Sequence, residues 1–208
     1  MGKHGPTPPP PEHDAYPTPS WVTEALLEHL DVTGMTVGEP ATWAGQMANV
    51  LKGGGAARVY CSDIHDYNYQ LDAKMDFLAE HPLQLPRFDA IITNPPYGDR
   101  CGFISPFITT GLRCLGDAGL LALLLPVDCD SAVRRRPYFR DCPDFDSKIT
   151  LNKRITWFDR TDGKRGEPKE WHAWFVWRRP RPARAPAILY APTIVKIPAR
   201  TRMKKIAA

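Results

Sequence analysis

The chain has 208 residues, 43% of them apolar and 24% charged, with a net charge of +4. This suits one domain of ordinary size with a packed core, and no apolar run reaches the roughly 20 residues of a membrane-spanning helix. No signal-peptide pattern opens the chain, so a soluble, cytoplasmic protein is expected. The cysteines (Cys61, Cys101, Cys114, Cys129 and Cys142) are odd in number and form no C-x-x-C pair. Reduced thiols are expected, not disulfides or a zinc site. No acidic residue follows Glu170, whereas Arg178, Arg179, Arg181, Arg184, Lys196, Arg200, Arg202, Lys204 and Lys205 do. A basic arm on a mildly acidic body points to a polyanionic partner.

Residues 1–14, with prolines at 8 to 11, read as an extended leader. Ser20 is placed to cap a helix over 22–30, where Val22, Ala25, Leu26 and Leu30 share a face. Residues 36–40 form a short strand ending in Glu39 and Pro40. Ala41 then opens a helix reaching about Lys52, stopped by three glycines. Residues 57–63 are a second strand ending in Asp63. Residues 88–93 are a third, apolar and β-branched, and residues 103–115 a helix with Phe103, Phe107, Ile108 and Leu112 at helical spacing. The run 119–126 is too short to span a membrane and fits a central parallel strand buried on both faces. Residues 128–146 read as a polar loop with a helical turn. Residues 155–158 and 171–177 read as two strands joined by a hairpin-like loop, their tryptophans sealing the sheet against helices.

The most informative stretch follows Thr93. Asn94, Pro95, Pro96 and Tyr97 cannot continue a strand, because two prolines remove two donors and fix two φ angles. They present an amide, a carbonyl and an aromatic ring at the carboxyl end of a strand, where open α/β sheets bind ligands. The Asn94 side-chain oxygen and the Pro95 carbonyl are two acceptors held side by side, suited to an –NH₂ group. The Tyr97 ring offers a face for a planar heterocycle. Asp63, about twenty residues after the glycine turn, is placed to accept the ribose hydroxyls of an adenosine cofactor, with Ile64 near its adenine.

The tetrapeptide resembles the Asn-Pro-Pro-Tyr motif of amino-methyltransferases, most closely the adenine-N6 DNA methyltransferases, including small phage-encoded orphan enzymes. Other segments fit in the same order. Tyr16, Thr18 and Pro19 resemble the element lying against the methionine end of S-adenosylmethionine (SAM). Glu39, Pro40 and Gly45 resemble the first SAM motif, although Trp43 stands where a glycine is expected. Asp76 and Phe77 resemble the Asp-Phe-Leu element beside the cofactor's adenine. The resemblance implies an α/β, Rossmann-like SAM-dependent methyltransferase sheet, mostly parallel with a terminal antiparallel strand pair. It assigns residues 15–178 to that domain and residues 179–208 to a basic tail.

The same resemblance implies SAM as cofactor, held by Tyr16, Thr18, Pro19, Glu39, Pro40, Ala41, Gly45, Met47, Asp63, Ile64, Asp76, Phe77 and Asn94. Asn94, Pro95, Pro96 and Tyr97 would be catalytic, and no metal is implied. Tyr97, with Tyr138 or Phe139 on the opposite face, would bind an adenine flipped out of DNA by a monomeric enzyme, in the host cytoplasm if phage-encoded. RNA bases and protein glutamine amides present the same –NH₂ and stay open as substrates. A relic that binds nucleic acid without catalysis, Trp43 filling the cofactor site, stays open as well.

Overall fold

Successive side chains of a strand point to opposite faces, and the central strands carry apolar residues at consecutive positions, so each must be covered on both sides. The computed structural model describes residues 16–79, 85–157 and 170–192. It shows eight strands in one sheet. In chain order the elements are α1 (Ser20–Leu27), β1 (Thr36–Glu39), α2 (Gln46–Gly53), β2 (Arg58–Asp63), β3 (Ala73–Lys74), β4 (Phe88–Thr93), α3 (Ile104–Cys114), β5 (Leu115–Pro126), β6 (Phe145–Thr150), β7 (His172–Arg178) and β8 (Ala187–Tyr190). The strand order is β3-β2-β1-β4-β5-β7-β6-β8. All neighbours pair in parallel except β7, which runs antiparallel to both β5 and β6. The expected mostly parallel α/β sheet is what forms.

Two apolar layers cover it. Ala90, Ile92, Leu120, Ala122, Leu124, Trp174 and Val176 face the layer that holds α1 and α2. Ile91, Leu121, Leu123, Leu125, Phe175 and Trp177 face the layer of α3 and residues 129–139. Trp174 and Trp177 are fully buried. Buried indole nitrogens need an acceptor; that of Trp174 donates to the Val22 carbonyl of α1 at 2.8 Å and that of Trp177 to the Tyr138 carbonyl at 2.6 Å. These two rings do seal the sheet. Trp171, just before β7, does not: it is 42% exposed.

Four expectations are corrected. Residues 155–157 form no strand, and β7 pairs with β6. Polar Asp146 and Ser147 disguise β6, yet both are buried; Arg184 satisfies the Asp146 carboxylate at 2.9 Å, and Ser147 donates to it at 3.1 Å. Ser20 is the first residue of α1, and Pro19 occupies the cap position without a side-chain hydrogen bond. The helix expected from Ala41 starts only at Gln46, after a turn containing two residues of positive φ. The sheet also continues beyond residue 178, because β8 adds to β6. Arg179 is bound to Asp144 at 2.7 Å and to the Leu112 carbonyl, and Arg181 to the Pro143 carbonyl. These arginines serve the fold, not a free arm. The remaining basic tail residues, the leader and the 158–169 loop lie outside the described residues. Among the described residues no helix is long and apolar enough to cross a membrane.

Candidate active site

The parallel strands deliver their carboxyl ends to one edge: Glu39 from β1, Asp63 from β2, Thr93 from β4 and Pro126 from β5. Asn94 leaves β4 there and meets the segment that leads into α1. Its Nδ2 donates to Thr18 Oγ1 at 3.1 Å and reaches the Tyr16 carbonyl at 3.5 Å. With both amide hydrogens spent, the amide presents Oδ1 as acceptor on its other side. The Tyr97 hydroxyl lies 3.3 Å from that oxygen and 3.2 Å from the Leu124 carbonyl. It has one proton to share between them.

Aromatic rings complete this half. The His172 ring lies 6.2 Å from that of Tyr97, their planes only 25° apart. Trp157 meets His172 edge-on at 5.3 Å, and Tyr16 meets Trp157 at 5.3 Å. The rings thus run from the turn back to the Thr18 segment. His172 is buried, and its Nδ1 has no hydrogen-bond partner among the described residues. Burial pulls its pKa down to about 4, against a smaller opposing hydrogen bond with the Glu170 backbone. The ring is neutral at neutral pH.

The other half is built on β1 and β2. The Thr42 hydroxyl donates to the Glu39 carbonyl at 2.6 Å and its amide to the Ser62 carbonyl at 3.2 Å, stitching the turn across both strand ends. Trp43 takes φ +50°, in the left-handed region, and its amide donates to Asp63 Oδ2 at 2.9 Å. Asp63 Oδ1 accepts the His65 amide at 3.0 Å. Each carboxylate oxygen retains a second lone pair. Gly45 has φ +79°, and a Cβ there would come within 2.0 Å of the Tyr69 ring, so only glycine fits. Glu39 is 2% exposed, and its Oε2 has no partner among the described residues. Desolvation first, and the Asp63 charge second, raise its pKa well above the carboxylate range, while the Ala48 amide and Lys52 oppose the shift.

A cleft of about 220 Å³, lined by Tyr16, Thr18, Glu39, Ala41, Thr42, Trp43, Gln46, Met47 and Asn94, joins the two halves. A second, of about 200 Å³, lies against Glu39, Pro40, Ser62 and Phe77. Glu39 borders both clefts. A buried acid lacking a cation suits a positively charged cofactor, and SAM carries a sulfonium and an ammonium. The residues present therefore fit SAM.

Four other expected residues, Ile64, Asp76, Tyr138 and Phe139, line neither cleft. Ile64 is half exposed beyond the end of β2. Asp76 is exposed and caps its own turn through the Leu78 amide at 2.9 Å. Phe139 is 2% exposed, its ring packed between those of Phe145, Phe175 and Trp177. It belongs to the core and offers no face to a base. Tyr138 is half-buried against the same layer. Sequence reasoning does not single out Thr42, Trp157 or His172 as site residues; the one available signal is His172, a polar residue opening the apolar run 173–177 of β7. All five cysteines are free. Burial pushes Cys61 and Cys114 up to about 11 and Cys129 to about 12, so these three are not nucleophiles.

No protein-family model and no curated protein matches the chain. Solved structures do. One is described as a candidate RNA methyltransferase from Pyrococcus horikoshii, with a TM-score of 0.61 and 16% identity over 80% of this chain and 88% of that one. Another is a candidate class I SAM-dependent methyltransferase from Listeria monocytogenes, with 0.55 and 14% over 83% of this chain. A type I restriction-modification methyltransferase subunit from Streptococcus thermophilus gives 0.54 and 16% over 78%. The chain spans 62% and 43% of the latter two. At such identities the likeness defines the fold: a Rossmann-like sheet of the SAM-dependent methyltransferase type.

Proposed function

We propose that the protein transfers a methyl group from SAM to the exocyclic amine of a nucleobase, namely adenine N6 in DNA. The observation that carries this reading is the fixed Asn94 amide, its Oδ1 turned from Thr18 toward Tyr97, on the wall of the cleft shared with Glu39 and Met47. SAM would supply an electrophilic methyl group, held by Thr18, Glu39, Ala41, Met47 and Asp63.

Adenine N6 is a poor nucleophile because its lone pair is delocalised into the ring. Asn94 Oδ1 and the Pro95 carbonyl accept its two N–H groups, which favours a pyramidal nitrogen with a localised pair. Positive charge developing on that nitrogen then meets acceptors already in place, with no reorganisation needed at the moment of transfer. Tyr97 stacks on the base and returns part of the few kcal/mol lost on leaving the helix stack. Its hydroxyl, tied to β5, and the His172 ring beside it fix the orientation of the ring.

The restriction-modification subunit among the structural neighbours supports DNA; the Pyrococcus protein, described as acting on RNA, supports RNA. The amine chemistry is the same for both. Radiolabelled methyl transfer from SAM to DNA, RNA and a glutamine-containing protein tests the reading. Label in the N6-methyladenine of DNA is the expected result. Label only in RNA or protein replaces the substrate, and no label in any of them refutes the enzyme.

A further inference from the structure

We infer that Trp171 and Arg154 form a stacking platform for an unpaired stretch of nucleic acid flanking the target base. The inference rests on reading the neighbouring turn as a nucleobase-amine site. Trp171 is the tryptophan of this region that the fold leaves uncovered, at 42% exposure. It is not a frayed residue: its carbonyl accepts the Val127 amide at 2.9 Å, fixing it at the carboxyl end of β5. The next residue, His172, is the one whose ring lies beside Tyr97.

The Arg154 guanidinium sits 4.7 Å from the centre of the Trp171 ring. Lys153 sits 5.1 Å from that of Trp21. Both cations follow β6, whose carboxyl end lies at the same edge, as the Leu151 amide bonding the His172 carbonyl shows. Two strand spacings, about 10 Å, separate the ends of β4 and β7 along this edge. That places the platform within a few nucleotides of a base seated on Tyr97.

The opposite flank is basic too. Arg134 donates to the Arg100 carbonyl at 2.6 Å, just past the turn, and the Arg100 side chain is 87% exposed, its Nε 4.0 Å from the Asp99 carboxylate. Arg136 and Arg140 share the single acid Asp141. Cations on both sides suit a phosphate chain crossing the edge. A half-exposed indole under a guanidinium adds what a duplex backbone cannot use, a face for an unstacked base. A single strand, or a locally opened one, uses both features.

The test is fluorescence anisotropy of the full chain with a labelled single-stranded DNA oligonucleotide, its RNA counterpart and the matched DNA duplex. Calorimetry with SAM runs in parallel. Trp171→Ala is expected to weaken both single strands roughly tenfold and the duplex far less, with SAM binding and the melting temperature unchanged. Trp171→Phe should retain most of the affinity. Arg154→Gln should weaken single-strand binding and flatten its salt dependence. Unchanged single-strand affinity in Trp171→Ala, or an equal loss on single strand and duplex, overturns the platform. Trp171-dependent single-strand binding by a chain that binds no SAM would uphold the platform while refuting methyl transfer.

Discussion

The two halves of the ligand edge are built differently. Around Asn94 the polar groups of the turn bond within the protein, to Thr18, the Tyr16 carbonyl, Tyr97 and the Leu124 carbonyl. Around Glu39 the fold keeps a buried acid with an orphaned oxygen and a tryptophan in a left-handed conformation. The first half is rigid before anything binds, as a site that stabilises a transition state must be. The second leaves the Glu39 Oε2 without a partner among the described residues, and a bound cation would satisfy it. Pre-organisation and need for a partner thus lie side by side, separated by the width of one strand pair, β1 and β4.

The largest expected effect breaks the rigid half. Asn94→Ala should lower the methyl-transfer rate by about 10²–10³-fold, the usual cost of removing one pre-placed hydrogen-bonding group, with the calorimetric SAM affinity largely spared. Comparable losses of SAM affinity and turnover would show that the halves are not separate.

His172 sharpens the same half through pH. Its folded pKa of about 4 lies below the ordinary 6.5. Between those values the unfolded chain binds the proton and the folded chain does not, so stability falls as the pH falls through that window. The full loss is about 3 kcal/mol by the usual conversion. Denaturant unfolding at neutral pH and near pH 4 should show His172→Phe losing less stability than wild type. Equal losses would mean that the ring titrates as an exposed one.

Glu39 has the opposite sign. Its raised pKa keeps the carboxyl protonated in the fold where the unfolded chain is ionised, so its stability cost grows as the pH rises above the ordinary 4.5. A bound cation favours the ionised form, and SAM binding should therefore release a proton. Titrations in buffers of different ionisation enthalpy should detect that release. It should vanish in Glu39→Gln, with SAM affinity weakened by about tenfold or more, the worth of one hydrogen bond to a charged group.

The smallest effect concerns Trp43. Trp43→Gly removes a left-handed strain of about 1–2 kcal/mol and loses ring contacts with Tyr67. Thermal unfolding should change by no more than about 1 kcal/mol, far less than an ordinary loss of a half-buried indole. A cost of several kcal/mol would make the ring a structural plug.

The rigid half was the more legible in sequence. The apolar run before Asn94 and the paired prolines each have one physical reading, and both β4 and the turn stand where that reading puts them. The central strand β5 was equally clear, since a continuous apolar run can only be covered on both sides. What stayed hidden depended on distant partners. Asp146 makes β6 look like a loop until Arg178, the last residue of β7, and Arg184 beyond it close on its carboxylate. Phe139 looks like a free aromatic until Phe145, Phe175 and Trp177 close around it. His172 gains significance only once an antiparallel strand brings it opposite Pro126.

Calorimetric titration of the folded protein with SAM tests the central claim most directly. The account predicts micromolar binding accompanied by proton release, with the release absent in Glu39→Gln. No binding even at millimolar SAM, by a protein that unfolds cooperatively, would contradict it.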